Sequence, residues 1–117
     1  MDYSIFLPDI NVMDGKTRVM GNMKLYLRLV GRFDGFKMAG SISDAVKAGD
    51  IEAAADAAHA LRGTAANLAF PVVQEITEKI ENSAKEGEDC TQFLQPLEDA
   101  VTALADVISR IVSMHQE

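Results

Sequence analysis

The sequence has little cysteine, little proline and few positive charges. It contains one cysteine, three prolines, two histidines and no tryptophan among 117 residues. Because Cys90 is alone, no internal disulfide can form, and a disulfide-stapled secreted scaffold is excluded. Lys and Arg total 11 against 18 Asp and Glu, which gives a formal net charge of −7 at pH 7. This charge argues against binding to nucleic acid or to an anionic membrane, since both attract basic surfaces.

Long apolar runs are also absent. No run approaches the ~18 residues that a membrane-spanning helix needs, and Met1–Ile10 lacks the basic start and apolar stretch of a signal peptide. Hydrophobic residues make up 48% of the chain and charged residues 25%, which is typical of a globular domain. We therefore expect a single cytoplasmic domain over residues 1–117.

Helical periodicity dominates the chain from Asn22 onwards, and no segment alternates like an exposed strand. The pattern predicts an all-α fold, an antiparallel four-helix bundle over about residues 22–115. A lead-in segment or short helix over residues 1–21 precedes it. Glycines inside the first long helix favour a bend near Gly40.

The second long helix has the clearest pattern. Asp50 is placed to cap its start, and Pro71 disfavours helical backbone at the residue before it. Between them, apolar residues recur at intervals of three and four, as on the buried seam of a bundle helix. That seam consists of Ile51, Ala54, Ala58, Leu61, Ala65 and Leu68.

His59 lies away from this seam. At about 100° per residue it points roughly 130° from the seam's centre, with Arg62 on the flank and Gly63 one turn further on. A glycine inside a helix costs about 1 kcal/mol relative to alanine, so the glycine indicates that another molecule needs access to the imidazole. The alternative is an ordinary solvated face. His115, near the C-terminus, is expected to have no chemical role.

The segment His59–Leu68 reads His-Ala-Leu-Arg-Gly-Thr-Ala-Ala-Asn-Leu. It resembles the motif His-x-Leu-Lys-Gly-x-x-x-x-Leu-Gly of histidine phosphotransfer (HPt) domains, and the resemblance extends from about Pro8 to Ile111. Two positions depart from the motif. Arg62 replaces the usual lysine and keeps its charge, and Ala69 replaces the second glycine.

The resemblance implies a phosphorelay intermediate in two-component signal transduction. His59 would accept a phosphoryl group from the aspartyl phosphate of a receiver domain and pass it to another receiver. Arg62 would place charge beside the phosphoryl group, and Gly63 would give access. Glu81 matches the family position that orients the ring, and Asp56 competes for that role.

The resemblance also implies the partners, which are response-regulator receiver domains, a hybrid histidine kinase, or both. We expect no cofactor on this chain, because the receiver would bring magnesium, and neither kinase nor ATPase activity. We also expect a monomer. The candidate docking residues around the histidine are Thr64, Ala66, Asn67 and Phe70.

Two other functions stay open from the residues alone. One is a helical interaction module that binds a receiver or another partner without phosphoryl transfer. The other is a metal site formed by His59 with Asp56 or Glu81, which would be weak because a second histidine at i+4 is missing.

Overall fold

The protein is all-helical in the computed structural model, which describes residues 3–115. Residues 1–2 and 116–117 of the predicted domain lie outside the described part. No described residue belongs to a β-strand, and none of the described helices is long and apolar enough to cross a membrane. The helices are α1 (Val12–Arg18), α2 (Met23–Gly31), α3 (Gly35–Lys47), α4 (Ile51–Leu68), α5 (Pro71–Lys85) and α6 (Leu94–Met114), with short 3-10 turns at Ser4–Phe6 and Thr91–Phe93.

The predicted first long helix is in fact two helices. The backbone leaves α2 after Gly31, and the carboxylate of Asp34 accepts a hydrogen bond from the Lys37 N–H at 3.1 Å, which caps α3. A methyl group at Gly35 would lie 2.9 Å from Val101, so this glycine lets α3 approach α6 closely. Gly40, where we expected a bend, lies inside α3.

The boundaries of α4 agree with the sequence pattern. Asp50 caps its start, accepting a hydrogen bond from the Ala53 N–H at 3.0 Å, and Pro71 occupies the first turn of α5. Ala69 ends α4 with a left-handed φ of 63°. The motif has glycine at this position, because glycine adopts that conformation without steric cost. Alanine adopts it here, and the helix still ends at Leu68.

The four long helices enclose one core. α3 packs against α4 and α6, and α5 packs against the same two helices. Of the predicted α4 seam, only Ile51 is not buried; its side chain is 49% exposed in the first turn. Tyr26 ties α2 to this core, because its hydroxyl donates a buried hydrogen bond of 2.7 Å to the carbonyl of Leu68. The N-terminal third of the chain is thereby attached to the end of α4.

Candidate functional site

His59 projects from α4 at its seam with α5. Its side chain is 65% exposed, which agrees with the outward direction derived from helical spacing. Its Nδ1 atom lies 2.8 Å from Oε2 of Glu81, a residue 22 positions further along the chain, on α5. The structure therefore brings together the histidine and the carboxylate that the family resemblance pairs.

Glu81 is the centre of a charged cluster. It is only 3% exposed, yet Arg62 Nε lies 2.7 Å from Oε1 and Lys85 Nζ lies 2.9 Å from Oε2. Desolvation raises the pKa of Glu81, but hydrogen bonds from Lys85, Arg62 and His59 outweigh it and hold the pKa at about 2. The carboxylate is therefore ionised at neutral pH.

This ionised carboxylate determines which ring nitrogen carries the proton. A carboxylate only accepts hydrogen bonds, so Nδ1 of His59 donates its N–H to Glu81. Arg62 Nη2 also lies 3.0 Å from Nδ1, but a guanidinium cannot accept, so this is a contact between two donors. In the neutral ring Nε2 then keeps its lone pair, and it has no hydrogen-bond partner among residues 3–115.

The two cations of the cluster are Arg62 and Lys85, of which only Arg62 was expected from the sequence. The guanidinium of Arg62 lies against Glu81 and the Nδ1 edge of the ring, and its role beside a phosphoryl group stays a prediction. Lys85, which our sequence analysis missed, has a side chain that is 61% exposed and contacts the same carboxylate. Its position at i+4 from Glu81 on a helix was a signal that could have revealed it.

Gly63 has no packing partner that requires a glycine. It is exposed, and a methyl group added to it would meet nothing within 4 Å. The protein's own interior therefore does not explain why this helix contains a glycine one turn beyond His59. The open space there could admit the backbone or side chain of another molecule.

The expected docking residues divide into two groups. Asn67 is exposed, and Thr64 and Ala66 are half-buried. Phe70 is completely buried, with its ring centroid 4.9 Å from that of Phe33. Its placement on a docking surface is therefore wrong. Phe70 follows the end of α4, where the chain turns inward before α5.

The remaining candidates lie away from the site or do not assemble. Asp56 is exposed and makes no hydrogen bond to His59, so Glu81 is the carboxylate that contacts the ring. His115 Nε2 lies 3.0 Å from the Tyr3 hydroxyl, at the N-terminal lead-in. Within the described range, no group of three His, Cys, Asp or Glu side chains could hold a metal ion.

A comparison with protein families identifies the chain. The family model for the Hpt domain matches residues 36–107. The chain belongs to the Hpt domain family. The match includes nearly all of α3, all of α4 and α5 and two-thirds of α6, and with them every residue of the charged cluster. The stretch from about Pro8 to residue 35, where the sequence also resembles the family, lies outside the match.

The family gives the Hpt domain a general role, which is histidine phosphotransfer in phosphorelay signalling with receiver domains and histidine kinases as partners. Searches of curated proteins and of solved structures found no match.

Proposed function

We propose that this Hpt domain is a phosphorelay intermediate whose phosphoacceptor atom is Nε2 of His59. The observation that carries the proposal is the hydrogen bond of 2.8 Å between Nδ1 and Glu81 on a ring that is 65% exposed. It holds the proton on the inner nitrogen and directs the lone pair of the outer nitrogen to solvent. A partner could reach that atom without any movement of α4 or α5.

The transfer step follows from this tautomer. The Nε2 lone pair attacks the phosphorus of an aspartyl phosphate on a receiver domain, so an N–P bond forms. The bond between phosphorus and the aspartyl oxygen breaks, and the carboxylate leaves with the electron pair. The ring then carries a positive charge, which the ionised Glu81 stabilises through Nδ1. The reverse step, with a second receiver, passes the group onward.

We propose that the receiver domain supplies most of the catalysis. Phosphoryl transfer needs cations at the transferred oxygens, and among residues 3–115 the cations that contact the carboxylate beside His59 are Arg62 and Lys85. We propose that the receiver brings its aspartate and a magnesium ion, and that this domain brings a positioned nucleophile. Thr64, Ala66 and Asn67 would lie under the docked partner, with Gly63 at the point of closest approach.

We also propose that α3, α4, α5 and α6 form an antiparallel bundle. Two observations support it. The start of α4 and the end of α5 line one cavity with residues such as Ile51 and Ala84. The start of α3 likewise lines a cavity with the second half of α6, and Phe36 and Ala105 are among its lining residues.

The proposal is tested by incubating the protein with a phosphorylated receiver and magnesium. We expect a base-stable, acid-labile adduct, seen by ³¹P NMR and by mass spectrometry, on the wild-type protein and on His115→Gln. His59→Gln should form none. Labelled transfer that persists in His59→Gln would refute the proposal. Binding of the receiver to wild type without any adduct would instead favour the interaction-module alternative.

A further inference from the structure

A second surface lies where α3 and α6 pack together, whereas His59 lies where α4 and α5 pack together. A cavity of about 470 Å³ runs along this surface, and one of about 260 Å³ continues it toward the start of α3. Phe36 borders both cavities, and the residue is 56% exposed. An exposed phenylalanine between two depressions of the surface is typical of a contact surface.

Gly40 lies at the middle of this surface. It lines the larger cavity, and a methyl group added to it would meet nothing within 4 Å. The interior of the protein therefore does not require glycine here, although glycine in a helix costs about 1 kcal/mol relative to alanine. A glycine at this place would let another helix approach α3 closely.

The charges on α3 indicate what that other helix is. Lys37 and Asp44 are each three residues from the Gly40–Ser41 bond, on opposite sides, and Asp34 and Lys47 are each six residues from it. All four residues are exposed, and none forms an ion pair with another described residue. If the sequence of the helix is reversed about the Gly40–Ser41 bond, each lysine falls at the position of an aspartate and each aspartate at the position of a lysine. Lys37 and Asp44 lie within about 20° of each other around the helix, at about 100° per residue. An antiparallel copy of α3 would therefore place Lys37 of one copy opposite Asp44 of the other.

We propose that the occupant of this surface is a second copy of the chain, bound by a two-fold contact of α3 with α3. The helices cross at Gly40, and Lys37 of each copy pairs with Asp44 of the other. This reversed register places Phe36 of one copy at the level of Ser43 and Lys47 of the other, where the larger cavity begins. A symmetric contact of this kind is the commonest way in which soluble proteins dimerise.

This dimer leaves the phosphotransfer site open. His59 lies at the seam of α4 and α5, whereas the contact uses α3 and its seam with α6. Each copy could therefore engage a receiver while the dimer persists. The proposal concerns self-association only, so it does not depend on which nitrogen or which histidine is phosphorylated, and it revises the sequence-based expectation of a monomer.

Sedimentation velocity over about 10 μM to 1 mM tests the dimer. We expect concentration-dependent dimerisation of wild type that weakens with added salt. Lys37→Glu and Asp44→Lys should each weaken it about tenfold, because attraction becomes repulsion at two symmetric places. The double variant should restore the wild-type affinity. Both changes suit the ends of α3, with a glutamate in its first turn and a lysine in its last, so the helix should still fold.

Three further variants locate the contact. Phe36→Ser should weaken the dimer at least tenfold through loss of its apolar anchor. Gly40→Leu should do the same while raising thermal stability, because the helix gains propensity and the added side chain has space. Lys24→Glu, an equal charge change on an exposed lysine of α2, should leave the dimer unchanged. A wild-type monomer at every concentration would overturn the proposal, as would a dimer indifferent to these changes or a double variant that stays weak.

Discussion

Replacing Glu81 by glutamine tests whether one buried carboxylate holds the site together. Glutamine has nearly the same shape and retains one oxygen that can accept the Nδ1–H of His59. It loses the negative charge that Arg62 and Lys85 contact at 2.7 and 2.9 Å. The substitution therefore removes the charge while leaving much of the geometry of the ring in place.

The size of the effect follows from the pKa of Glu81, which lies at about 2 rather than the ordinary 4.5. Since each tenfold change in proton affinity corresponds to about 1.4 kcal/mol, ionised Glu81 stabilises the folded state by about 3 kcal/mol at neutral pH. Arg62 and Lys85 are partly exposed and regain water when the charge is removed. We therefore expect Glu81→Gln to lower the free energy of unfolding by about 2 kcal/mol at pH 7.

The effect should depend on pH in one direction. Because the folded-state pKa of Glu81 lies below its ordinary value, the folded protein holds this proton less tightly than the unfolded chain does. The stabilisation is complete above about pH 4.5 and is lost as the pH falls toward 2. The difference between wild type and Glu81→Gln should therefore shrink over that range.

Urea unfolding followed by far-UV circular dichroism measures this difference, and the chain's lack of tryptophan makes that signal preferable to fluorescence. Other carboxylates titrate in the same range, but they cancel in the comparison of the two proteins. Glu78→Gln, at an exposed position of the same helix, serves as the matched control and should stay within about 0.5 kcal/mol of wild type. A difference that is constant with pH, or that grows in acid, would refute the role assigned to the cluster.

Three further predictions test the neighbourhood of the site. Gly63→Leu should raise the free energy of unfolding by up to about 1 kcal/mol, because leucine has the higher helix propensity. It should also lower the rate of phosphoryl transfer at least tenfold, because the side chain fills the space beside His59. An unchanged rate would contradict the idea that Gly63 gives a partner access to the ring. Tyr26→Phe should cost about 1–2 kcal/mol in urea unfolding, because the buried carbonyl of Leu68 loses its donor. Ala69→Gly should change the free energy of unfolding by less than about 1 kcal/mol. Glycine relieves the left-handed strain, but it also removes a buried methyl group and makes the unfolded chain more flexible. A larger change in urea unfolding would contradict this balance.

The sequence pattern was sufficient to predict the features that depend on neighbouring residues along the chain. Asp50 and Pro71 set the boundaries of α4 and α5 where capping and proline rules place them. Helical spacing was also sufficient for the outward direction of His59. The break before α3 was missed although Asp34-Gly35 carries a capping and turn signal, because apolar residues continue on both sides of it at Phe33 and Phe36. The roles of Asp34 and Gly35 appear only through the cap on Lys37 and the close approach of α6.

Contacts between helices were harder to predict. Phe70 looked available because it follows the motif, yet its burial depends on Phe33 and on the turn into α5, which no spacing rule contains. Lys85 was missed for a related reason. Its importance arises only once Glu81 is known to be buried, since an exposed pair of residues at i and i+4 contributes little.

The balance of charge within the cluster bears on how the proposed transfer could take place on a chain with a net charge of −7. Glu81 contributes one negative charge, and Arg62 and Lys85 contribute two positive charges, so these three side chains together carry one net positive charge. The carboxylate therefore has two effects that must be separated. It fixes the proton of His59 on Nδ1, but it also occupies the cations that would otherwise meet the phosphoryl oxygens. Glu81→Gln should release those cations, so its loss of folding stability need not bring a proportionate loss in the rate of transfer.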